Sequence, residues 1–183
     1  MDDLNSKLFQ AIKEGNETTA KLLLDSEADP NKTDKDGETP LYIAVYYGHV
    51  EIVKLLLDSG ADIFQQNISG MTPLHIAVSN GHDLIVKLLL DLGTDINNIN
   101  YYGWTLLHIA SEEGRVEIMK LLLDSGADIN KINNNGWTLL MVAAENGHDT
   151  SVKLLLEAGA NINKAEDGVK ENGKTPLYIA AEN

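Results

Sequence analysis

The chain has 183 residues, no cysteine, and 14 Lys+Arg against 28 Asp+Glu, a net charge of −14. This composition excludes a disulfide framework and a thiolate zinc site, and an acidic surface repels phosphate backbones and anionic membranes while attracting basic partners. Hydrophobic residues at 43 % exceed what a disordered chain carries, yet the dense apolar stretches are short, as in Ile85 to Leu90, well below a membrane span.

The N-terminus, Met1-Asp2-Asp3, is acidic and lacks the basic-then-apolar order of a secretory signal. The expected location is therefore the cytoplasm. From there the chain is a repetition of one unit. Residues 1–33 read as a degenerate first copy, which keeps Ala11, Gly15 and Leu22 in register with the later copies. The next four copies are expected over 34–66, 67–99, 100–132 and 133–169, and a partial last one over 170–183. A step of 33 links Gly37, Gly70, Gly103 and Gly136, and two residues after each comes Thr39, Thr72, Thr105 or Thr138. The same step links Ala44, Ala77, Ala110 and Ala143, then Gly48, Gly81, Gly114 and Gly147, then Leu triplets beginning at Leu55, Leu88, Leu121 and Leu154. Gly173, Thr175 and Ala180 continue the series at a step of 37, so four residues are inserted near 166–170.

Each repeated position has a physical task. The threonine is of the type that caps a helix N-terminus, and Pro40, Pro73 and Pro176 follow at the first helical position, where a missing N–H costs nothing. A short helix containing the small alanine runs to Gly48 or its equivalent, which tolerates positive φ. A second helix, such as Val50 to Asp58, presents Ile52, Val53, Leu55, Leu56 and Leu57 as a core-facing stripe. Gly60, Gly93, Gly126 and Gly159 cap it, and an extended turn leads to the next copy. One such unit cannot bury its apolar face alone, whereas stacked neighbours can.

Gly70-Met71-Thr72-Pro73-Leu74-His75-Ile76-Ala77 and Asp124-Ser125-Gly126-Ala127-Asp128-Ile129-Asn130 resemble the ankyrin-repeat signature nearly residue for residue, and the likeness extends along essentially the whole chain. The resemblance implies an all-α solenoid of helix-turn-helix units joined by extended β-turn loops. It departs from the pattern at Leu106 and Leu139, which replace the proline, and at Ser6-Lys7-Leu8-Phe9, as a terminal cap would. Thr175 to Asn183 supplies a first helix with no second helix to cover Ile179, so the expectation is a piece of a longer array.

Catalytic and metal-binding patterns find no support. His75 and His108 occupy the histidine position of the signature, and His49, His82 and His148 follow the helix-ending glycine; the resemblance assigns all five to hydrogen bonds and helix starts. No pair has the spacing of a zinc-binding helix, and there is no nucleophile elbow. Gly168 to Thr175 matches a phosphate-binding loop in its letters, but the polar stretch Asn161 to Asp167 replaces the buried strand which that chemistry needs. Asp34-Lys35-Asp36-Gly37 fails as a calcium loop because Lys32 and Ile43 stand at ligand positions. Glycosylation sequons begin at Asn16, Asn31 and Asn67 and are read as chance. Lysines at 21, 54, 87, 120 and 153 each precede an acid by four residues, and together with Asp29, Asp62, Asp95 and Asp128 they suggest a solvated outer face.

The positions that do not repeat carry the functional signal. The family resemblance implies binding through the turn before each first helix and that helix's exposed face, which together line a concave groove. The free positions there include Tyr46, Tyr47, Ile68, Met71, Tyr101, Tyr102, Trp104, Glu112, Glu113 and Trp137. Both tryptophans and four of six tyrosines fall among them, and aromatic residues are the usual anchors of protein interfaces. The reading is a non-catalytic adaptor or recognition scaffold for a protein with apolar anchors and basic flanks, without cofactor, nucleic acid or membrane. A monomer is expected, with end-to-end association open through the incomplete last repeat. A passive spacer, in which the rings only stiffen the array, and nucleotide binding at 168–175 are the alternatives.

Overall fold

A computed structural model describes residues 2–162. The chain divides into two compact units, 1–94 and 95–183. The first contains α1 (Asp2–Lys13), α2 (Glu17–Asp25), α3 (Pro40–Tyr47), α4 (Val50–Asp58), α5 (Pro73–Asn80) and α6 (Asp83–Asp91). The described part of the second contains α7 (Leu106–Glu112), α8 (Val116–Asp124), α9 (Leu139–Glu145) and α10 (Asp149–Glu157). Among the described residues the only β-structure is a pair of isolated bridges, Ile99 with Thr105 and Ile132 with Thr138. No helix among them is long and apolar enough to cross a membrane. The four-residue insertion, the phosphate-loop letters at 168–175 and the partial last repeat lie outside the described residues.

Helices α3, α5, α7 and α9 are short because their ends are written into the sequence. Thr39 accepts from Tyr42 N at 3.1 Å and Thr138 from Met141 N at 3.3 Å, each closing the first turn from an extended backbone. Gly48 and Gly81 stop α3 and α5 in the left-handed conformation. Between these stops nearly the whole helix is buried: Pro40 to Val45 in α3, Pro73 to Val78 in α5, Leu106 to Ser111 in α7 and Leu139 to Ala144 in α9. Such helices can be apolar all round because neighbours flank them, α3 between α1 and α5 in the first unit and α7 against α9 in the second. Only their last residues emerge.

The even-numbered helices bury one stripe. Ile52, Val53 and Leu56, then Ile85, Val86 and Leu89, then Ile118, Met119 and Leu122 face inward, while the flanking leucines of each triplet are half-covered. Each fully buried aliphatic chain contributes about 1.5–3 kcal/mol. In α10 this register holds Ser151, and its fully buried hydroxyl has no hydrogen-bond partner among the described residues. The C-termini close as Schellman turns, with Ala61 N donating to Leu56 O and Ala127 N to Leu122 O, both at 2.9 Å. In the first copy Glu27 takes the glycine's place at φ 68°, at a cost of about 1 kcal/mol.

On the exposed sides of α4 and α8, Lys54 pairs with Glu51 and Lys120 with Glu117, each three residues earlier on its helix and both at 2.8 Å. The repeated aspartates do more than carry charge: Asp29, Asp62, Asp95 and Asp128 each accept from the backbone N–H two residues on, at 2.8–2.9 Å. They set the turn that leaves each second helix.

Candidate protein-binding surface

The turns before α3, α5, α7 and α9 are fingers, each tied at its base by one side chain. Asp34 Oδ1 accepts from Asp36 N and Glu38 N at 2.9 and 3.0 Å. Asn67 does the same for Ser69 and Met71, Asn100 for Tyr102 and Trp104, and Asn133 for Asn135 and Trp137, all at 2.9–3.1 Å. The backbone closes over the same span, with Asn67 N donating to Met71 O at 3.0 Å and Asn133 N to Trp137 O at 3.1 Å. Neighbouring fingertips are joined by one further bond, Ile68 N to Asp36 O at 3.3 Å in the first unit and Asn134 N to Tyr102 O at 3.2 Å in the second. The sequence reading missed the tying residue, although the 33-residue step from Asp34 to Asn133 marks it.

Histidines fasten the helices behind the fingers. Thr105 N donates to His108 Nδ1 at 3.3 Å, and the Thr105 hydroxyl lies 2.8 Å from the same nitrogen. Nδ1 is therefore an acceptor, so Nε2 carries the proton and donates to Trp137 O at 3.2 Å. Burial lowers the His108 pKa to about 4, against a weaker opposing effect from the Trp137 carbonyl. The histidines that follow the helix-ending glycines face the preceding copy: His82 Nε2 donates to Tyr46 O at 3.2 Å and His148 Nε2 to Glu112 O at 2.7 Å. A Cβ on Gly48 would lie 2.6 Å from His82 Cε1, and one on Gly114 2.8 Å from His148 Nδ1, so each ring rests on the preceding copy's glycine. These groups are hydrogen-bonded into the framework, which leaves them poor candidates for general bases.

The residues expected to meet a partner separate into two kinds. Tyr46 and Tyr47 at the end of α3 are 50 % and 47 % exposed, Ile68 at the second fingertip 68 %, and Tyr101 and Tyr102 at the tip before α7 both 64 %. Glu112 and Glu113, at the end of α7, are also exposed. Met71, Trp104 and Trp137 are half-buried. The Trp104 ring lies 5.9 Å from that of His108, and Trp137 packs on Met141 and Ala144. In the first unit, Tyr46 and Tyr47 touch edge to face at 5.2 Å, and Tyr47 stacks on His49 at 5.9 Å.

The first unit also gathers carboxylates beside these rings. Tyr42 sits one helical turn before Tyr46, and its hydroxyl accepts from Asn67 Nδ2 at 3.2 Å and reaches Glu38. Burial raises the Glu38 pKa, and the charges of Asp34 and Asp36 raise it further. Burial likewise raises that of Tyr42, with the Glu38 charge adding to it. In the second unit burial, then the Glu113 charge, raises the Glu112 pKa at a helix C-terminus, the end where a negative charge is least favoured. Two of the sequon asparagines have structural partners: Asn31 bonds Gly60 O and Asp62 N of the next turn, and Asn67 Nδ2 donates to the Tyr42 hydroxyl of α3.

A family model described as ankyrin repeats (three copies) matches residues 8–100, 59–133, 95–166 and 131–183. A search of curated proteins gave no match. With helix pairs, tied fingers and glycine-stopped first helices recurring along the described chain, and with the family windows running from residue 8 to 183, this chain belongs to the ankyrin-repeat family.

Proposed function

We propose that this chain, as ankyrin repeats generally do, serves as a non-catalytic protein–protein interaction module. It binds a protein partner with apolar anchors and basic flanks through its fingers and first-helix ends. In the first unit the surface is Tyr46, Tyr47, Ile68 and Met71; in the second it is Tyr101, Tyr102, Trp104, Glu112, Glu113 and Trp137. The observation that carries the reading is the exposure of four tyrosines at 47–64 % on positions the framework leaves free. Rings of this size contribute contact area at low entropic cost. A passive spacer is the second reading, and the half-buried Trp104 and Trp137, packed on His108 and Met141, favour it.

The two readings differ in what the tyrosines do. Tyr46→Ala/Tyr47→Ala and Tyr101→Ala/Tyr102→Ala should each leave the melting temperature nearly unchanged, since surface truncations stay within about 0.5 kcal/mol. Each should nevertheless lose proteins that the parent chain captures from a lysate. Identical captures by the parent and both variants would sink the proposal and leave the spacer.

A further inference from the structure

The first unit carries a negative pole and an aromatic pole, linked through Tyr42. The negative pole is the finger at Asp34, Asp36 and Glu38, which stays net negative even with Lys35 at its tip and Lys13 near Glu38. Ile68 stands beside it, held by its N–H on Asp36 O and by its Cγ2 over Gly37, where an added Cβ would lie 3.3 Å away. Its side chain remains 68 % exposed, an apolar ledge next to carboxylates. This pairing suits the methylene stem and charged head of a lysine or arginine. The aromatic pole is Tyr46 with Tyr47, about half exposed and set at right angles to each other at 80°. The spacing between poles follows from the helix. Tyr42 bridges them, in reach of Glu38 and one turn of about 6 Å before Tyr46, so the poles lie about 10 Å apart, the span of three or four extended residues.

We propose that this face of the first unit binds an extended peptide carrying a lysine or arginine three or four residues from an aromatic or aliphatic anchor. The cation lies along Ile68 among the finger carboxylates, and the anchor covers Tyr46 and Tyr47. The inference rests on the binding reading above and adds to it the partner's charge and spacing. An anionic partner would meet the same carboxylates as repulsion.

The test is selection of a random twelve-residue phage-displayed peptide library on the full chain, the Asp36→Lys variant and the Tyr46→Ala/Tyr47→Ala variant. Circular dichroism confirms that all three fold. The parent should enrich peptides with Lys or Arg three or four residues from Phe, Tyr, Trp or Leu. Asp36→Lys should keep the anchor but exchange the cation for Asp or Glu, and the tyrosine variant should enrich nothing related. In a synthetic copy of the best peptide, replacing the cation with alanine should weaken binding about tenfold, or 1.4 kcal/mol. Enrichment lost with the tyrosines but blind to Asp36→Lys would end this inference and leave the binding surface standing. Enrichment blind to both variants, or none at all, would overturn both. Self-association of the parent in sedimentation, abolished by the tyrosine variant, would assign the face to a second copy and also overturn the proposal.

Discussion

Replacing Gly48 with alanine tests whether the histidine of one copy is locked onto the glycine of the copy before it. Gly48 has φ 74°, so an alanine there pays about 1 kcal/mol for the left-handed backbone alone. Its Cβ would also fall 2.6, 2.9 and 3.0 Å from three atoms of the His82 ring, closer than carbon tolerates, so the ring must leave. The bond from His82 Nε2 to Tyr46 O goes with it, about 1 kcal/mol more, with some lost packing besides. Gly60 supplies the control: it has φ 85° and nothing within 4 Å of an added Cβ. Urea titration followed by circular dichroism should therefore show Gly60→Ala costing about 1 kcal/mol and Gly48→Ala about 2–3 kcal/mol. In a His82→Ala background the Gly48→Ala cost should fall back to about 1 kcal/mol, the mark of coupled neighbours. Equal costs at the two glycines, or no relief from His82→Ala, would refute the lock.

Two further predictions concern buried polar groups. Ser151 fills a register that is isoleucine in the three preceding copies, and its buried hydroxyl has no partner among the described residues, so Ser151→Ala should raise stability by about 1 kcal/mol in the same titration. His108 is held neutral, with its pKa moved from 6.5 to about 4. The unfolded chain takes up a proton below its own, higher pKa, so this stabilisation is complete above pH 6.5 and is lost as the pH falls towards 4. Met141 occupies the same register in the next copy, and its sulfur accepts from Thr138 N at 3.4 Å, so His108→Met offers a non-titrating substitute. It should reduce the stability difference between pH 7.5 and pH 5 by about 2 kcal/mol, and an undiminished difference would show that His108 is not the group that titrates.

The fold was legible because the residues that end helices are also the ones that repeat. A threonine or glycine every 33 positions acts through its own backbone, so its effect is local and visible in one dimension. The free positions were legible by subtraction: Tyr46, Tyr47, Tyr101 and Tyr102 stand where the pattern asks for nothing, and they emerge exposed. What escaped depends on stacking. Whether Trp137 reaches solvent is decided by Met141 and Ala144 of the following helix, and whether a histidine helps its own helix or the copy before it is decided by the width of a glycine. The finger ties escaped for a simpler reason, because Asp34 alternates with three asparagines and the shared carbonyl-like oxygen is hidden by two residue names.

The finger geometry also bears on how such a surface can change. In each finger the fastening is done by the Asx oxygen, by the glycine three residues on, and by main-chain groups that every residue but proline provides. The two tip residues between them, Lys35-Asp36, Ile68-Ser69, Tyr101-Tyr102 and Asn134-Asn135, have little in common as side chains, yet their loops close alike. Tips of this kind behave as exchangeable cassettes: a lineage, or an experimenter, can rewrite what the fingers touch while the knots that hold them stay tied.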